Sequence, residues 1–252
     1  MRLQGKKALI TGASRGIGFA IAQAFVREGA EVIITGRNIE TLESACAVLG
    51  EQAHPLCWDA ADAAIVPEKI AQVVSILNGL DIVVNNAGIL AKNDYNKKFF
   101  DLSVEEWDLT LDVNLRGTFF ISREAARWMI DNGVRGHILN ICSEMAYQPT
   151  FSSYGVSKWG VRALTEGLGL LLGPKGIIVN GIAPGPTTTE MMNWKPEMGL
   201  ARPRHPNGRW GLPSEMGELA VFLTCGTGDN IVGQCILSDG GHVLIGRGQG
   251  DL

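Results

Sequence analysis

Short apolar runs alternate with longer helical patterns along the whole chain, and this alternation limits the fold more than any other feature of the sequence. Apolar runs without polar alternation are typical of strands buried on both faces, which form parallel sheets covered by helices. The predicted strands are residues 8–11, 31–35, 55–58, 82–85, 137–142, 177–182 and 234–237. The predicted helices are residues 16–28, 39–49, 67–77, 104–131, 154–172 and 214–223. The sequence therefore predicts an α/β fold with a doubly wound, seven-stranded parallel sheet and helices on both faces, in which ligands bind beyond the carboxyl ends of the strands.

Composition limits the kinds of partner that a chain like this can have. The 252 residues contain no linker or charge run that would divide them, so we expect one domain over residues 1–252. The net charge is −4 and the basic residues are scattered, which argues against nucleic acid or an anionic membrane as a partner. The first apolar run is too short for a signal peptide, and none approaches the ~20 residues of a membrane span. We therefore expect a cytoplasmic protein with a small-molecule substrate.

The cysteines also favour a cytoplasmic location. They are odd in number and lack the spacing typical of metal sites, so no metal site is predicted; they are Cys46, Cys57, Cys142, Cys225 and Cys235. Cys57, Cys142 and Cys235 lie in apolar runs. We expect them to be reduced, buried thiols.

A glycine-rich turn, T-G-A-S-R-G-I-G at residues 11–18, joins the first strand to the first helix. In such a turn Gly12 permits the tight bend, Gly16 lets the backbone approach a pyrophosphate, and Gly18 lets the helix pack on the strand. The helix N-terminus offers unpaired N–H groups and a positive dipole to phosphates. The position of the turn after the first strand predicts a dinucleotide site, with cofactor-binding residues Gly12, Ser14, Arg15, Gly16, Ile17 and Gly18.

The end of the second strand indicates which dinucleotide binds. A NAD site usually has a carboxylate here that accepts a hydrogen bond from the ribose 2′-hydroxyl, but this chain has Gly36 followed by Arg37. Arg37 and Arg15 can instead grip a 2′-phosphate with bidentate hydrogen bonds. The pattern predicts NADP(H) in preference to NAD(H). After the third strand, Asp59 is a candidate acceptor for the adenine amino group, or a cap or turn residue.

A candidate catalytic group follows the fifth strand. Tyr154 and Lys158 are four residues apart on a predicted helix and therefore share one face. A lysine ammonium beside a phenol favours the phenolate and lowers its pKa from about 10, so such a tyrosine can act as a general acid or base. Ser143, at the strand end, can supply a hydroxyl to the same place. Asn114, a polar residue among apolar ones, needs partners if it is buried and can bend its helix and hold a water.

Taken together, these residues resemble the short-chain dehydrogenases/reductases. The matching motifs are T-G-A-S-R-G-I-G, N-N-A-G at residues 85–88, Asn114, Ser143, Tyr154-x-x-x-Lys158, Pro184-Gly185 and a closing S-D-G-G at residues 238–241. The likeness extends from about Gly5 to Gly241 and includes 3-oxoacyl-carrier-protein reductases. It implies a single-domain Rossmann fold and an enzyme that transfers hydride between a nicotinamide cofactor and a carbonyl or secondary alcohol.

The resemblance also assigns roles to individual residues. Tyr154 is the implied acid/base, Lys158 lowers its pKa and holds the nicotinamide ribose, Ser143 bonds the substrate oxygen, and Asn114 anchors a water relay to Lys158. The implied cofactor contacts further along the chain are Asn86, Ala87, Gly88, Tyr154, Lys158, Pro184, Gly185, Thr187 and Thr189. The segment from Ser143 to Tyr154 is shorter than in many members of the family, so the loop between them is expected to differ in shape.

A long segment over residues 186–212 predicts a lid over the substrate, since loops of this length in compact domains are usually lids or binding loops. Met191 and Trp194, with Met192, Met198 and Trp210, can line an apolar pocket or simply pack the lid on the body. Glu144, beside Ser143, can hydrogen-bond a polyol or an amine, or point to water. Arg204, His205 and Arg209 can bind a carboxylate or remain solvated. The loop over residues 89–100 can form another wall of the pocket.

The helix over residues 154–172 also suggests an assembly. It carries Gly155, Gly160, Ala163, Gly167 and Gly169, small residues that reduce helix propensity and suit close approach of another helix. Members of the family often form tetramers through this helix, so the resemblance implies a homotetramer. The tail after Gly241 can cross to a partner subunit or be a loose end.

Four functions follow from these observations. The first is an NADPH-dependent carbonyl reductase that also works as an alcohol dehydrogenase. The second is a 3-oxoacyl-carrier-protein reductase, for which Arg127, Arg135 and Lys175 are the candidate basic patch. The third is a sugar or polyol dehydrogenase using NAD, favoured if Glu144 faces the pocket. The fourth is a catalytically silent NADP-binding sensor, against which the four intact catalytic residues argue.

Overall fold

A parallel sheet forms the centre of the computed structural model, which describes residues 1–90 and 99–247. Within those residues its strands are β1 Lys7–Ile10, β2 Glu31–Gly36, β3 Ala53–Cys57, β4 Ile82–Asn85, β5 His137–Ile141, β6 Ile178–Pro184 and β7 Cys235–Ser238. Their order across the sheet is β3-β2-β1-β4-β5-β6-β7, and each neighbouring pair is parallel. The predicted fold class is confirmed. The strand order reverses between β1 and β4, and ligands of such sheets bind outside the carboxyl ends at that point.

Helices cover both faces of the sheet. They are α1 Gly16–Arg27, α2 Ile39–Leu49, α3 Val66–Leu77, α4 Val104–Leu111, α5 Thr118–Asp131, α6 Ser153–Leu172 and α7 Pro213–Thr224. Because successive side chains of a strand point to opposite faces, Ile10 of β1 joins the core under α1, α2 and α7. Leu9 joins the core under α3 and α5. Both side chains are fully buried, which explains why the strands are apolar throughout.

The predicted helix over residues 104–131 is α4 and α5 joined by a wide π-helical turn, Asp112–Gly117. The turn brings the chain against the loop after β3, where a Cβ on Gly117 would lie 2.4 Å from the carbonyl oxygen of Ala60. Asn114 lies in this turn and is fully buried. The extra residue of the turn therefore aims a polar side chain at the interior, as π-helical turns often do at functional sites.

The prediction for Cys57 is wrong, since its side chain is exposed. Cys57 is the last residue of β3, which is an edge strand and loses burial towards its end. Cys142, in the middle of the sheet, is buried as predicted, and Cys235 is partly buried. In the part of the chain that is described, no helix has the length and apolar character needed to cross a bilayer.

Candidate active site

The glycine turn after β1 is hydrogen-bonded to the residues that follow β4. The Thr11 hydroxyl accepts hydrogen bonds from the backbone N–H groups of Asn86 and Ala87, both at 3.0 Å. The Asn86 side chain donates in return to the carbonyl oxygens of Thr11 and Gly12, at 2.8 and 2.9 Å. Four hydrogen bonds thus fix the turn against the loop that follows β4, at the point where the strand order reverses.

The three glycines of the turn meet different demands. Gly12 has φ of 62°, and a Cβ there would lie 2.8 Å from the Cα of Ala87, so Gly12 serves close approach as well as the bend. A Cβ on Gly18 would lie 2.4 Å from the Asn86 side-chain nitrogen and 2.8 Å from the Gly12 carbonyl oxygen. Gly16 has φ of 61°, and the nearest atom to a Cβ there is a Thr189 methyl carbon at 3.7 Å, so the space in front of it is open.

This geometry suits a dinucleotide pyrophosphate. Helix α1 begins at Gly16, and its N-cap residue, Arg15, makes no side-chain capping bond to it. The first N–H groups of α1 therefore face the open space in front of Gly16 without a side-chain acceptor. Phosphate oxygens are the acceptors that such a helix N-terminus binds.

We expect Gly18→Ala to lower the free energy of unfolding by about 1–3 kcal/mol, because the added methyl group would overlap the Asn86 side chain and the Gly12 carbonyl. Denaturant unfolding measures the change. Gly167→Ala is the matched control, since a Cβ on this helical glycine would meet nothing within 4 Å, and we expect it to be neutral or stabilising by up to about 1 kcal/mol. Equal stability of the two variants would contradict the packing role of Gly18.

The candidate 2′-phosphate site lies where β2 ends. A Cβ on Gly36 would lie 3.9 Å from the Ser14 hydroxyl, so the glycine turn and the end of β2 share one surface. Arg37 follows on that surface and is exposed. Arg15 is also exposed and forms an ion pair with Glu190 of the lid, with 2.8 Å between nitrogen and oxygen. Arg37 is thus the charged residue next to Gly36, while the Arg15 guanidinium is held by Glu190.

Asp59 has the turn role that was one of its two interpretations. Its side-chain oxygen accepts a hydrogen bond from the N–H of Ala61 at 3.0 Å, and its side chain is exposed. Contact with an adenine amino group stays a prediction.

Lys158 and Tyr154 share one face of α6, as predicted, and both are buried. Lys158 is 4% exposed, and its ammonium donates a hydrogen bond to the carbonyl oxygen of Ile141 at 2.8 Å. The ammonium nitrogen lies 5.7 Å from the centre of the Tyr154 ring. Burial lowers the pKa of Lys158. Ser152 caps α6 by accepting a hydrogen bond from the N–H of Gly155 at 3.0 Å, which fixes the start of the helix at Ser153.

Asn114, in the π-helical turn, lies next to Lys158 and beside the loop that follows β4. A Cβ on Gly88 would lie 3.4 Å from the Asn114 side-chain oxygen and 3.6 Å from the Lys158 ammonium. The Asn114 side chain accepts from the N–H of Ile89 at 2.8 Å, and donates to the Ile89 carbonyl and the Ser157 hydroxyl, both at 3.0 Å. Asn114 therefore joins the loop after β4 to α6. Its predicted water relay is not tested by these contacts.

Ser143 lies two residues after the end of β5 and is buried. Its hydroxyl oxygen accepts a hydrogen bond from the N–H of Met145 at 3.2 Å. Because this bond uses the oxygen as an acceptor, the hydroxyl hydrogen remains as the group that Ser143 can offer to a substrate oxygen. The structure thus brings Ser143 to the same edge of the sheet as Tyr154 and Lys158, whose ammonium bonds the last residue of β5.

The end of β6 leads into the lid. A Cβ on Gly185 would lie 2.7 Å from the Cα of Asp239, so the glycine allows β6 to leave the sheet beside the end of β7. Pro184 is the last residue of β6 and pairs with Ser238. Thr187 is buried, and its hydroxyl donates to the Gly185 carbonyl at 2.9 Å.

The lid reaches the glycine turn through the ion pair of Glu190 with Arg15, and the Thr189 methyl group lies 3.7 Å from the place that a Cβ on Gly16 would take. Met191 is 45% exposed, and the Trp194 ring nitrogen donates to the Gly199 carbonyl inside the lid. Residues 91–98, in the other predicted wall of the pocket, lie outside the described residues.

Glu144 does not point to water. It is buried, and both of its carboxylate oxygens lie 2.9 Å from the Nδ1 atom of His242. Burial raises the pKa of Glu144, while the hydrogen bond with His242 opposes that change. Arg209 likewise pairs with Glu215 rather than standing free. His205 is buried, and Arg204 is exposed.

A family model described as short chain dehydrogenase matches residues 6–198. The chain belongs to this family. The prediction from the motifs is confirmed, and with it the enzyme class: an NAD(P)-dependent short-chain dehydrogenase acting on CH–OH groups. The fold and the positions of the motifs at the strand ends agree with this membership.

Curated relatives of this short-chain dehydrogenase carry several substrate names. Gluconate 5-dehydrogenase of Gluconobacter oxydans is 36% identical over 255 residues, which cover 95% of each chain. Galactitol 2-dehydrogenase of Agrobacterium fabrum is 34% identical over 96% of this chain and 99% of its own length. The 3-oxoacyl-carrier-protein reductase of Thermotoga maritima is 34% identical over 97% of this chain and all of its own.

Solved structures differ in their cofactor. A short-chain dehydrogenase from Burkholderia cenocepacia in complex with NADP has a TM-score of 0.85 and 35% identity, covering 96% of this chain and 99% of that chain. A 3-ketoacyl-carrier-protein reductase from Brucella melitensis complexed with NADH has a TM-score of 0.86 and 30% identity, with 96% and 99% covered. Both cofactors therefore occur among structures similar to this one.

Three residues of the site were missed in the sequence. Thr11 supports the turn, Ser157 holds Asn114, and His242 holds Glu144. Thr11 precedes the first glycine of the turn and Ser157 lies beside Lys158, so their positions within the motifs were a usable signal. His242 follows the closing S-D-G-G, and its contact is 98 residues distant in sequence, where no local pattern could reveal it.

Proposed function

We propose that this short-chain dehydrogenase is an NADP(H)-dependent oxidoreductase that transfers a hydride between nicotinamide and a carbonyl or secondary alcohol, with Tyr154 as the acid/base. The observation that carries the proposal is the buried Lys158 ammonium, held by the Ile141 carbonyl and 5.7 Å from the Tyr154 ring. A buried cation beside a phenol favours its ionised form, which is what a general base near neutral pH requires. Asn114 and Ser143 complete the group.

The nicotinamide cofactor, when bound, supplies or accepts the hydride. Gly12, Gly16 and the N-terminus of α1 would hold its pyrophosphate. During reduction, Ser143 and Tyr154 donate hydrogen bonds to the carbonyl oxygen on which negative charge grows. Tyr154 then gives its hydroxyl proton to that oxygen, and in the oxidative direction it removes the proton.

Lys158 and Asn114 support this chemistry. The Lys158 ammonium stabilises the tyrosinate that remains after proton transfer. Asn114 keeps the loop after β4 against α6, through Ile89 and Ser157, and so sets the wall beside the ammonium. Return of a proton to Tyr154 through Lys158 and a water held near Asn114 completes the proposed cycle.

NADP(H) rather than NAD(H) is proposed from the surface at the end of β2. Gly36 occupies the place of the carboxylate that accepts from a ribose 2′-hydroxyl. Arg37 follows Gly36 in the chain, the Ser14 hydroxyl lies beside it, and Arg15 is the next residue of the glycine turn; we propose that the three offer positive charge and donors to a 2′-phosphate.

We expect Glu190→Gln to tighten NADPH binding by up to about fivefold, because Glu190 competes with the 2′-phosphate for Arg15 and an exposed ion pair contributes at most about 1 kcal/mol. NADH binding should not change. Fluorescence titration of both cofactors measures the effect, and Glu197→Gln, at another exposed position of the lid, is the matched control. Equal tightening for NADPH and NADH would contradict a contact between Arg15 and the 2′-phosphate.

For the substrate we propose a polyhydroxylated alcohol or its keto form. Relatives that cover nearly the whole chain are named gluconate, sorbitol, D-threitol and galactitol dehydrogenases. The buried Glu144 beside Ser143 is engaged by His242, so we do not assign it a direct substrate contact. Met191 and Trp194 remain proposed wall residues of the pocket.

A 3-oxoacyl thioester is the second candidate, favoured by the relatives named 3-oxoacyl-carrier-protein reductase. This candidate needs a basic patch that would bind an acidic carrier protein, and the residues expected to form that patch give the candidate little support. Arg135 and Lys175 lie just before β5 and β6, at the amino edge of the sheet and opposite the catalytic residues. Arg127 forms an ion pair with Glu124 at 2.8 Å.

The experiment is a panel of sugar acids, polyols, keto-sugars, simple ketones and an acetoacetyl thioester, assayed with NADP(H) and NAD(H) in both directions. We expect turnover of the polyhydroxylated compounds with NADP(H). Turnover confined to the thioester would favour the second candidate. NADPH binding without turnover of any compound would favour the silent sensor.

We further propose a cytoplasmic homotetramer that uses α6. Leu170, Leu171 and Trp159 of this helix are exposed, at 83%, 66% and 43%. The helix glycines support the assembly less than expected. A Cβ on Gly160 would lie 2.7 Å from Leu115, and one on Gly169 would lie 2.6 Å from Gly233, so both serve packing within the chain.

A further inference from the structure

The lid and the segment after β7 lie directly on each other. The N–H of Asn207 donates to the Gly240 carbonyl at 3.2 Å. A Cβ on Gly240 would lie 2.4 Å from the Asn207 side chain, and one on Gly241 would lie 3.0 Å from Pro206. Both glycines have positive φ, 63° and 84°. The two glycines of the S-D-G-G motif therefore form a surface without side chains, and residues 206–207 of the lid pack on it.

A row of polar side chains runs from this glycine surface to the loop after β5. Glu144 holds the Nδ1 atom of His242. The His242 ring stacks on the His205 ring of the lid, with centres 4.3 Å apart and planes at 6°. Arg202 donates through its Nε atom to the Nε2 atom of His205, and its guanidinium lies 4.1 Å from the centre of the Trp210 ring. The row therefore connects the residue after Ser143 with the interior of the lid.

The contacts fix the protonation state of His205. A guanidinium can only donate, so the Nε2 atom of His205 must accept and the ring must be neutral with its hydrogen on Nδ1. The backbone of Asp239 faces His205 and opposes the lowering of its pKa. Burial and the neighbouring Arg202 lower the pKa of His205. A second proton on the His205 ring would place two hydrogen-bond donors and two positive charges against each other where His205 meets Arg202.

We propose that Glu144, His242 and His205 are positioning residues that hold the lid, residues 186–212, over the substrate site, and that protonation of His205 releases it. The proposal rests on the proposed function only in taking the substrate to bind beside Ser143. The charged or titratable groups that face His205 are Arg202 on the lid and Asp239 and His242 on the segment after β7. Glu144 reaches His205 only through the His242 ring.

The direction of the pH dependence follows from these contacts. The closed lid binds the neutral form of His205, whose pKa is lowered, so the closed state is favoured at and above neutral pH. It is lost as pH falls through that lowered pKa. Because the chemistry depends on Tyr154 and Lys158, which the row does not touch, release of the lid should weaken substrate binding more than the chemical step.

The kinetic test follows KM and kcat from pH about 7.5 to about 5.5, the range in which histidine titrates. For the wild type we expect KM to rise by up to about tenfold per pH unit as pH falls below about 6.5, the ordinary histidine pKa of an open lid, and to level off below the lowered pKa of the closed lid. In His205→Gln the side-chain oxygen can still accept from Arg202 but cannot be protonated, so the rise should be much smaller. His54→Gln is the matched control, because His54 pairs with Glu31 far from the lid. It should keep the wild-type profile.

A second test needs no substrate and so separates this proposal from the proposed function. The lid contains two trypsin sites, Arg204 and Arg209, because proline follows both Lys195 and Arg202. At pH about 7.5, where histidine is mostly neutral, we expect His242→Ala to be cut within the lid at least several-fold faster than wild type. His242→Phe keeps a ring on His205 and should fall between them. Equal cutting of all three proteins, or the wild-type acid rise of KM in His205→Gln, would overturn the proposal.

Discussion

Tyr154→Phe is expected to lower kcat by about 10²–10⁴-fold, the contribution typical of a positioned general acid or base. Phenylalanine keeps the ring that lies beside the Lys158 ammonium, and it removes only the hydroxyl that gives or takes the proton. The glycine turn and the end of β2 are untouched, so NADPH should bind with little change. Steady-state kinetics on a substrate from the panel, with NADPH titration of the same preparation, measures both quantities.

Tyr147→Phe is the matched control for this variant. The Tyr147 hydroxyl donates to the carbonyl oxygen of Cys235, and its burial raises its pKa to about 12, which suits a structural rather than a catalytic phenol. Loss of its hydrogen bond should cost about 1 kcal/mol of stability and little activity. If Tyr154→Phe kept most of its kcat, or if both variants lost it equally, Tyr154 would not be the acid/base.

Arg37→Asp is expected to change the ratio of kcat/KM for NADPH to that for NADH by about 10²-fold or more in favour of NADH. The change removes a charged donor to the 2′-phosphate, and such hydrogen bonds contribute about 1.5–3 kcal/mol. It also introduces a carboxylate next to Gly36, which repels a 2′-phosphate and can accept from a 2′-hydroxyl. Initial rates with each cofactor at saturating substrate measure the ratio.

Arg135→Asp provides the control, since this arginine is also exposed but precedes β5 at the amino edge of the sheet. It makes the same change in net charge without approaching the end of β2. An equal change of cofactor preference in the two variants would show that net charge, and not contact with Arg37, determines the preference. An unchanged ratio in Arg37→Asp would remove Arg37 from the cofactor site.

Most of the fold could be predicted because strands of a doubly wound sheet are uniformly apolar and helices are periodic. The predicted α2 and β4 have the bounds that the structure shows. The prediction for β6 ended two residues early, at Ile182, because Ala183 and Pro184 weaken a strand pattern. In the structure their partners on β7 carry the pairing forward to Pro184 and Ser238. Pairing of this kind is a property of the sheet and cannot be read from a local segment.

Predictions that depended on the tertiary environment were less accurate. Cys57 lies in an apolar run, but its strand is at the sheet edge, so its side chain is exposed. Gly160 and Gly169 of α6 were expected to allow close approach of another helix, and in the structure they admit Leu115 and Gly233 of the same chain. In each case the residue type correctly indicated close approach or an apolar setting, but only the fold could name the neighbour.

In the candidate site, too, the positions of the motif residues could be predicted from the sequence, but partners distant in the chain could not. The order of motifs along the chain predicted Tyr154, Lys158, Ser143 and Asn114 at one edge of the sheet, and the structure brings them there. Their chemical roles stay predictions. The partner of Glu144 could not be predicted, because the carboxylate and His242 come from segments that meet only after β5, β6 and β7 have assembled.

The most direct test of the central claim follows a labelled hydride. NADPH carrying deuterium at the transferable position of the nicotinamide is mixed with enzyme and a keto-sugar, and the product is examined by mass spectrometry. Direct transfer predicts an alcohol with one deuterium bonded to carbon at the former carbonyl, absent when Tyr154→Phe replaces the wild type. An unlabelled alcohol formed at the wild-type rate, or NADPH bound tightly with no reduction of any carbonyl tested, would contradict the assignment of this chain as a hydride-transferring NADP(H) enzyme.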